Sequence, residues 1–155
     1  MADGSRARLL LIVTGSSLRA EEVDRPLAYY LKQQVEGRLA RLAGTGGALR
    51  VLVVADLRWL QDAALQGLPT ISVGGPGVNL LARKWLEELP VSLAVEEHYF
   101  IQMDPELDEP RVSVWGMDNA TTQIAVSAFI QRFLDRFLQH CAATASDAPA
   151  GSDDE

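Results

Sequence analysis

A chain of 155 residues, 48% of them hydrophobic, has room for one compact domain with a real core, at the usual ~100 to 200 residues per domain. Fourteen basic against twenty-one acidic residues give a net charge of −7, and the twelve arginines and two lysines are scattered along the chain, so nothing forms the basic stripe that a nucleic-acid backbone requires. The single cysteine, Cys141, excludes an intramolecular disulfide and a multi-cysteine zinc site, and it fits a reducing compartment.

Met1 to Arg8 is polar, and the first apolar run, Leu9 to Val13, is too short for a secretory segment. No stretch approaches the ~18 apolar residues of a membrane span. The expectation is a cytoplasmic protein with neither membrane nor nucleic acid as a partner. Leu9 to Val13 itself reads as a strand buried on both faces, ending in the turn Thr14-Gly15-Ser16-Ser17. A long helix follows, with Asp24 as its cap, Pro26 in its first turn, and Leu27, Leu31, Val35, Leu39 and Leu42 at helical spacing. Gly44-Thr45-Gly46-Gly47 ends it.

Leu49 to Ala55 repeats the first strand's character, and Asp56 opens a short helix reaching about Gln66. Gly67-Leu68-Pro69 breaks the chain before a third strand, Thr70 to Val73. Gly74-Gly75-Pro76-Gly77 closes that strand, and helical spacing resumes near Pro76 through Leu80, Leu81, Trp85 and Leu89, stopping at Pro90. Ser92 to Val95 and Tyr99 to Met103 read as one strand or two, with an acidic loop from Asp104 to Pro110 after them. Val112 to Trp115 is the last predicted strand. Gly116-Met117-Asp118-Asn119 leads into a final helix whose Ile124, Ala128, Phe129, Phe133, Phe137 and Cys141 are expected to cover the sheet.

Strands without polar alternation, interleaved with helices, imply a mostly parallel sheet between helical layers. The predicted fold is α/β, a three-layer Rossmann-like or flavodoxin-like domain, with residues 92 to 103 leaving room for one antiparallel edge pair. Residues 1–7 read as a flexible N-terminus, 8–142 as a single α/β domain, and 143–155 as a disordered acidic tail. That tail holds Asp147, Asp153, Asp154 and Glu155, without which 17 acids face 14 bases, a balance of −3.

Ligands of such folds bind beyond the carboxyl ends of the strands. Four segments map to that rim: Thr14, Gly15 and Ser16 with Ser17; Asp56; Gly74, Gly75 and Pro76 with Asn79; and Gly116, Asp118, Asn119 and Thr121. Helices starting near Pro76 and Asn119 present unpaired N–H groups that suit a phosphate or carboxylate. Glycines let a ligand approach the backbone, and Asn79 offers both donor and acceptor to it. A tight strand-to-helix turn with Asn79 bonding its own loop explains the same residues.

Gly74-Gly75-Pro76-x-x-Asn79, followed by an apolar strand, Gly116 and a Thr122-x-x-Ala125 helix start, resembles the Rossmann-like repeats of archaeal surface-layer proteins over roughly residues 70 to 135. The resemblance implies a structural or assembly role without a catalytic centre, although this chain lacks the expected secretion signal and Asp118 does not directly precede the threonine. Thr14-Gly15-Ser16-Ser17 is similar to the phosphate loop of flavodoxins, which implies FMN held by those hydroxyls with an aromatic ring on the flavin; the fuller hydroxyl-rich loop is missing. Trp59 and Trp115 read as packing residues.

Asp56, Asp104 and Asp118 could converge on Mg²⁺ for a hydrolase, though helix capping accounts for Asp56 and Asp118. His140 and Cys141 are adjacent on a helix and point about 100° apart, so they make no nucleophile and base pair. His98 with Glu96 and Glu97 reads as a polar turn before it reads as an acid/base set. There is no nucleophile elbow, Walker loop or dinucleotide fingerprint. The sequence thus points to a sensory or regulatory domain binding an anionic, nucleotide-like small molecule, more a binder than an enzyme. The alternatives are an interaction module acting through the C-terminal helix or acidic tail, and a metal-dependent hydrolase or FMN-binding protein. No cofactor is identified.

Overall fold

The computed structural model describes residues 8–41, 49–95, 98–104, 106–107 and 109–147. The expectations for residues 1–7, Leu42, the glycine run from Gly44, Glu96 and Glu97, and the chain after Asp147 lie outside them. The first strand, β1 (Arg8–Thr14), is followed by α1 (Leu18–Arg41). This helix begins well before the expected cap at Asp24. Ser17 caps it, its hydroxyl accepting the Ala20 N–H at 3.2 Å and its carbonyl the Glu21 N–H at 3.0 Å, and the good helix formers that follow leave no reason to wait. Asp24 and Pro26 therefore fall inside α1, where Pro26 removes one backbone hydrogen bond and its ring crowds the carbonyl one turn back, at a cost the helix's packing offsets.

The second strand is β2 (Leu49–Ala55), and the single helix expected after it is two, α2 (Asp56–Gln61) and α3 (Ala63–Gln66). Asp62 interrupts them, its carboxylate accepting the Ala64 N–H at 3.0 Å and restarting the helix. Next come β3 (Thr70–Val73) and α4 (Leu80–Trp85), which starts after Asn79 instead of near Pro76. Between them the chain closes a turn, with the Val78 and Asn79 N–H groups both donating to the Gly75 carbonyl, at 3.1 and 2.9 Å.

Residues 91 to 103 form two strands, β4 (Val91–Val95) and β5 (Tyr99–Met103), before β6 (Arg111–Gly116). The final helix is also two, α5 (Asn119–Arg132) and α6 (Leu134–Asp147), parted at Phe133. Helix α6 runs past Ala143, where the tail was expected to begin.

Together the strands make one six-stranded sheet in the order β2-β1-β3-β6-β5-β4. The first four are parallel, while β5 and β4 extend the sheet antiparallel at one edge. The architecture is thus α/β with a mixed, mostly parallel sheet. Helices cover both faces, which explains the unbroken apolar run of β1: Leu10 and Ile12 pack with α1, α5 and α6, and Leu11 and Val13 with Trp59, Leu65, Leu81 and Trp85.

Phe129 and Phe137 are fully buried, and Phe133 packs against the same core. Ile124, expected there, is 51% exposed. The buried stripe of α5 is instead Thr122, Ala125, Val126, Phe129 and Ile130, because the cap at Asp118 sets the helix phase. Among the described residues no helix is long and apolar enough to cross a membrane.

The strand order fixes where a site can form. From β1 the chain steps to β2 on one side, then to β3 on the other, so the direction of winding reverses between β1 and β3. In open α/β sheets the carboxyl rim at such a reversal is a natural crevice.

Candidate functional site

Three loops meet at that rim. The β1–α1 loop and the β3–α4 loop touch backbone to backbone: a Cβ on Gly15 would lie 1.8 Å from the Val78 carbonyl oxygen. Gly74, at the end of β3, has a φ of 109°, and a Cβ there would lie 2.7 Å from the Asp24 carboxylate. What approaches these two glycines is therefore the chain itself. Gly75 faces the Gly116 carbonyl, which brings the third loop, between β6 and α5, into the same group.

Polar side chains lock the arrangement. Asn79 is 1% exposed; its amide nitrogen faces the Val73 carbonyl at 2.9 Å, the Ser72 hydroxyl at 3.0 Å and the Val13 carbonyl at 3.3 Å. Its oxygen accepts the Leu81 and Ala82 N–H groups at 2.9 and 3.2 Å. One side chain thus ties β1, β3 and α4 together, and its hydrogen-bonding capacity is filled inside the protein. Asp56, also 1% exposed, receives the Ser16 hydroxyl and accepts the Leu57 and Leu80 N–H groups, both at 2.7 Å. It joins α2 and α4 to the first loop.

These contacts occupy the N-terminal amides of α4 that an anion was expected to use. At α5 the situation is similar. Asp118 accepts the Thr121 N–H at 2.8 Å while Thr121 accepts the Asp118 N–H at 3.0 Å, a reciprocal cap. The Thr121 N–H, then its hydroxyl, and more weakly His98 hold the Asp118 carboxyl below its ordinary range. Thr122 closes the turn, its hydroxyl accepting the Gly116 N–H at 3.0 Å.

An open cleft of about 220 Å³ lies between α1 and the β6–α5 loop. Arg19, Val23 and Asp24 form one wall, Gly75 to Val78 another, and Trp115 to Asn119 with Thr122 the third. Of the expected site residues it gathers Gly75, Pro76, Gly116, Asp118 and Asn119. Gly74 and Thr121 lie behind the wall, against Asp24 and Gly116 respectively. A second hollow, on the other side of the Pro76–Val78 turn, is bordered by Ser16, Ser17, Asp56, Asn79 and Arg83. Thr14 and Gly15 lie beneath the rim, and the Thr14 hydroxyl, 1% exposed, has no hydrogen-bond partner.

Asp24 is the residue that sequence reading assigned otherwise. It is 6% exposed, and burial raises its carboxyl to about 6, against the opposing pull of the Arg19 charge. None of the described residues donates a hydrogen bond to it. A signal was present: Ala20, Asp24, Ala28, Leu31, Val35 and Leu39 form the buried stripe of α1, and a carboxylate in such a series is out of place unless it has work at the helix end.

Asp56, Asp104 and Asp118 do not converge. Asp56 follows β2 and Asp118 follows β6, three strand spacings or about 14 Å apart, while Asp104 follows the antiparallel β5 and lies at the opposite rim. No group of three metal-binding side chains occurs among the described residues. Trp59 is 4% exposed and donates to the Thr70 hydroxyl at 3.2 Å, and Trp115 stacks on Phe100 with centroids 4.4 Å apart, so both are held in packing. Burial pushes the Cys141 thiol up to about 12, which makes it a poor nucleophile. No protein-family model matches this chain, and no curated protein is similar to it in sequence.

Proposed function

We propose that this chain is a small-ligand-binding domain of sensory or regulatory type, with its ligand in the cleft between α1 and the β6–α5 loop. The observation that carries the reading is Asp24: an ionisable group, nearly buried and without a hydrogen-bond donor, in the wall of an open cleft at the winding reversal of the sheet. The parallel order β2-β1-β3-β6, with helices on both faces, supports a flavodoxin-like member of the Rossmann-like class. On this reading Asn79, Asp56 and Thr121 are positioning residues. They hold the three loops in place, and the ligand meets Asp24, the Gly75 to Val78 backbone and the Gly116 to Asn119 turn.

The test is a thermal-shift screen with nucleotides, phosphorylated metabolites, amino acids and amines, followed by amide chemical-shift mapping of each compound that stabilises the protein. The expected result is a dose-dependent rise in Tm from at least one class, with perturbations confined to residues 74 to 79 and 115 to 122. A panel without any stabilising compound, or one whose shifts map elsewhere, overturns the proposal.

A further inference from the structure

We infer that the cleft takes its ligand through a protonated nitrogen, an ammonium or amidinium group hydrogen-bonded to the Asp24 carboxylate, with Asp118 as a second acceptor. The inference rests on the ligand-binding reading above and adds the chemical class of the ligand. Its first support is the imbalance of the lining. Asp24 and Asp118 present carboxylates, while Arg19, in the first turn of α1, is the one cation among the lining residues.

The second support is what the amides are doing. Anion sites in this kind of fold use the free N–H groups of helix N-termini, but here Leu80 donates to Asp56, Leu81 and Ala82 to Asn79, and Thr121 to Asp118. At the cleft itself the group in an anion's place is the Asp118 carboxylate at the start of α5, while Asp56 and the Asn79 amide oxygen close the start of α4 beside the second hollow. Asp24, in contrast, is 6% exposed at the edge of the cleft and takes no hydrogen bond from a described residue, so its carboxylate is left to accept one from a ligand. A charged N–H group in the cleft supplies a charge-assisted hydrogen bond to it.

Size and shape narrow the class further. The cleft of about 220 Å³ is below the ~300 to 1,000 Å³ typical of drug-sized ligands. Val23, Pro76, Val78 and Trp115 give the hydrocarbon part of a small amine or amidine an apolar surface. Burial already holds the Asp24 carboxyl up to about 6, with Arg19 on its own helix opposing. Across the cleft stand Asp118 and, beside it, His98. A bound cation draws the Asp24 titration back toward the ordinary carboxylate range, a change that carboxyl-carbon NMR reads directly.

Benzamidine, benzamide and benzoate, which share a ring and differ in charge, are suitable probes for NMR titration of the intact, isotope-labelled chain. Benzamidine is expected to perturb the amides of residues 74 to 78 and 116 to 119, to bind about ten-fold or more tightly than benzamide, and to lower the Asp24 titration midpoint. Asp24→Asn, nearly isosteric, is expected to weaken benzamidine about ten-fold, and Asp118→Asn, which keeps the helix cap, to weaken it less. Benzamidine binding equally to Asp24→Asn, or not perturbing the cleft amides at all, overturns the inference. Benzoate perturbing those amides as strongly as benzamidine also overturns it, yet leaves the small-ligand reading standing. If the broad thermal-shift panel is flat as well, both readings fall.

Discussion

Asp24 is a charge placed where the helix pattern calls for an apolar side chain, and its energetics can be read against pH. Its carboxyl is raised from the ordinary 3.8 to about 6 in the folded protein, so the native state binds this proton more tightly than the unfolded state. Its contribution to stability is therefore complete below pH 3.8 and lost as the pH rises through 6. Replacing it by Asn removes the ionisation. Asp24→Asn is expected to unfold at higher urea concentration than the wild type at pH 8, by on the order of 1 to 2 kcal/mol once screening through the open cleft is allowed for, with the difference shrinking toward pH 4. Urea titrations at the two pH values check it; a variant less stable than the wild type at pH 8 contradicts the buried-carboxylate account.

At the scale of elements, the β3–α4 connection is held by Asn79 more than by the helix it begins. Helix α4 has six residues, too few to persist without tertiary support. If capping were the whole role of Asn79, Asp would serve as well. Asn79→Asp, however, places carboxylate oxygen against the Val13 and Val73 carbonyls now facing the amide nitrogen at 3.3 and 2.9 Å. The expected outcome is that Asn79→Asp costs at least as much as Asn79→Ala, each about 2 to 4 kcal/mol, in urea denaturation at pH 7. An Asp variant close to wild type would reduce Asn79 to a cap.

For the whole molecule, the larger core joins α1, α5 and α6 to one face of the sheet, with Phe137 fully buried and edge-on to Phe129 at 6.0 Å between ring centroids. Truncating so large a side chain costs about 3 to 5 kcal/mol, against a total of about 5 to 15 kcal/mol for a domain. Phe137→Ala is accordingly expected to lower Tm by about 10 °C or more, followed by near-ultraviolet circular dichroism. Ile124→Ala, on the exposed side of α5, is expected to leave Tm within a few degrees. Equal effects at the two positions would contradict the packing of the C-terminal helices. The same packing places Phe129 and Phe137 inside the protein, with Phe133 partly buried beside them.

Strand positions were legible because a parallel strand covered on both faces is rich in apolar residues: Leu9 to Val13 and Thr70 to Val73 are buried nearly throughout, whereas Leu49 to Ala55, read as a strand of the same character, lies at the edge of the sheet and buries only Val51. Helix starts were less so. Several residues near Ser17, Asp24 and Pro76 can each begin a helix, and which one does depends on contacts with other loops. Ser17 starts α1, while Asp56 and Asn79 receive the first amides of α4.

The rim was legible as a set of loops, since chain reversal needs glycine, proline and capping residues whatever those loops later bind. Composition and periodicity thus determined by themselves an α/β chain with polar turns at the strand ends, because burial and turn geometry act over a few residues. Only the tertiary structure decided that the turns bond to one another, that the helix termini are already capped, and that Asp24 looks into the cleft. Those facts depend on distances between segments far apart in the chain, which no local pattern encodes.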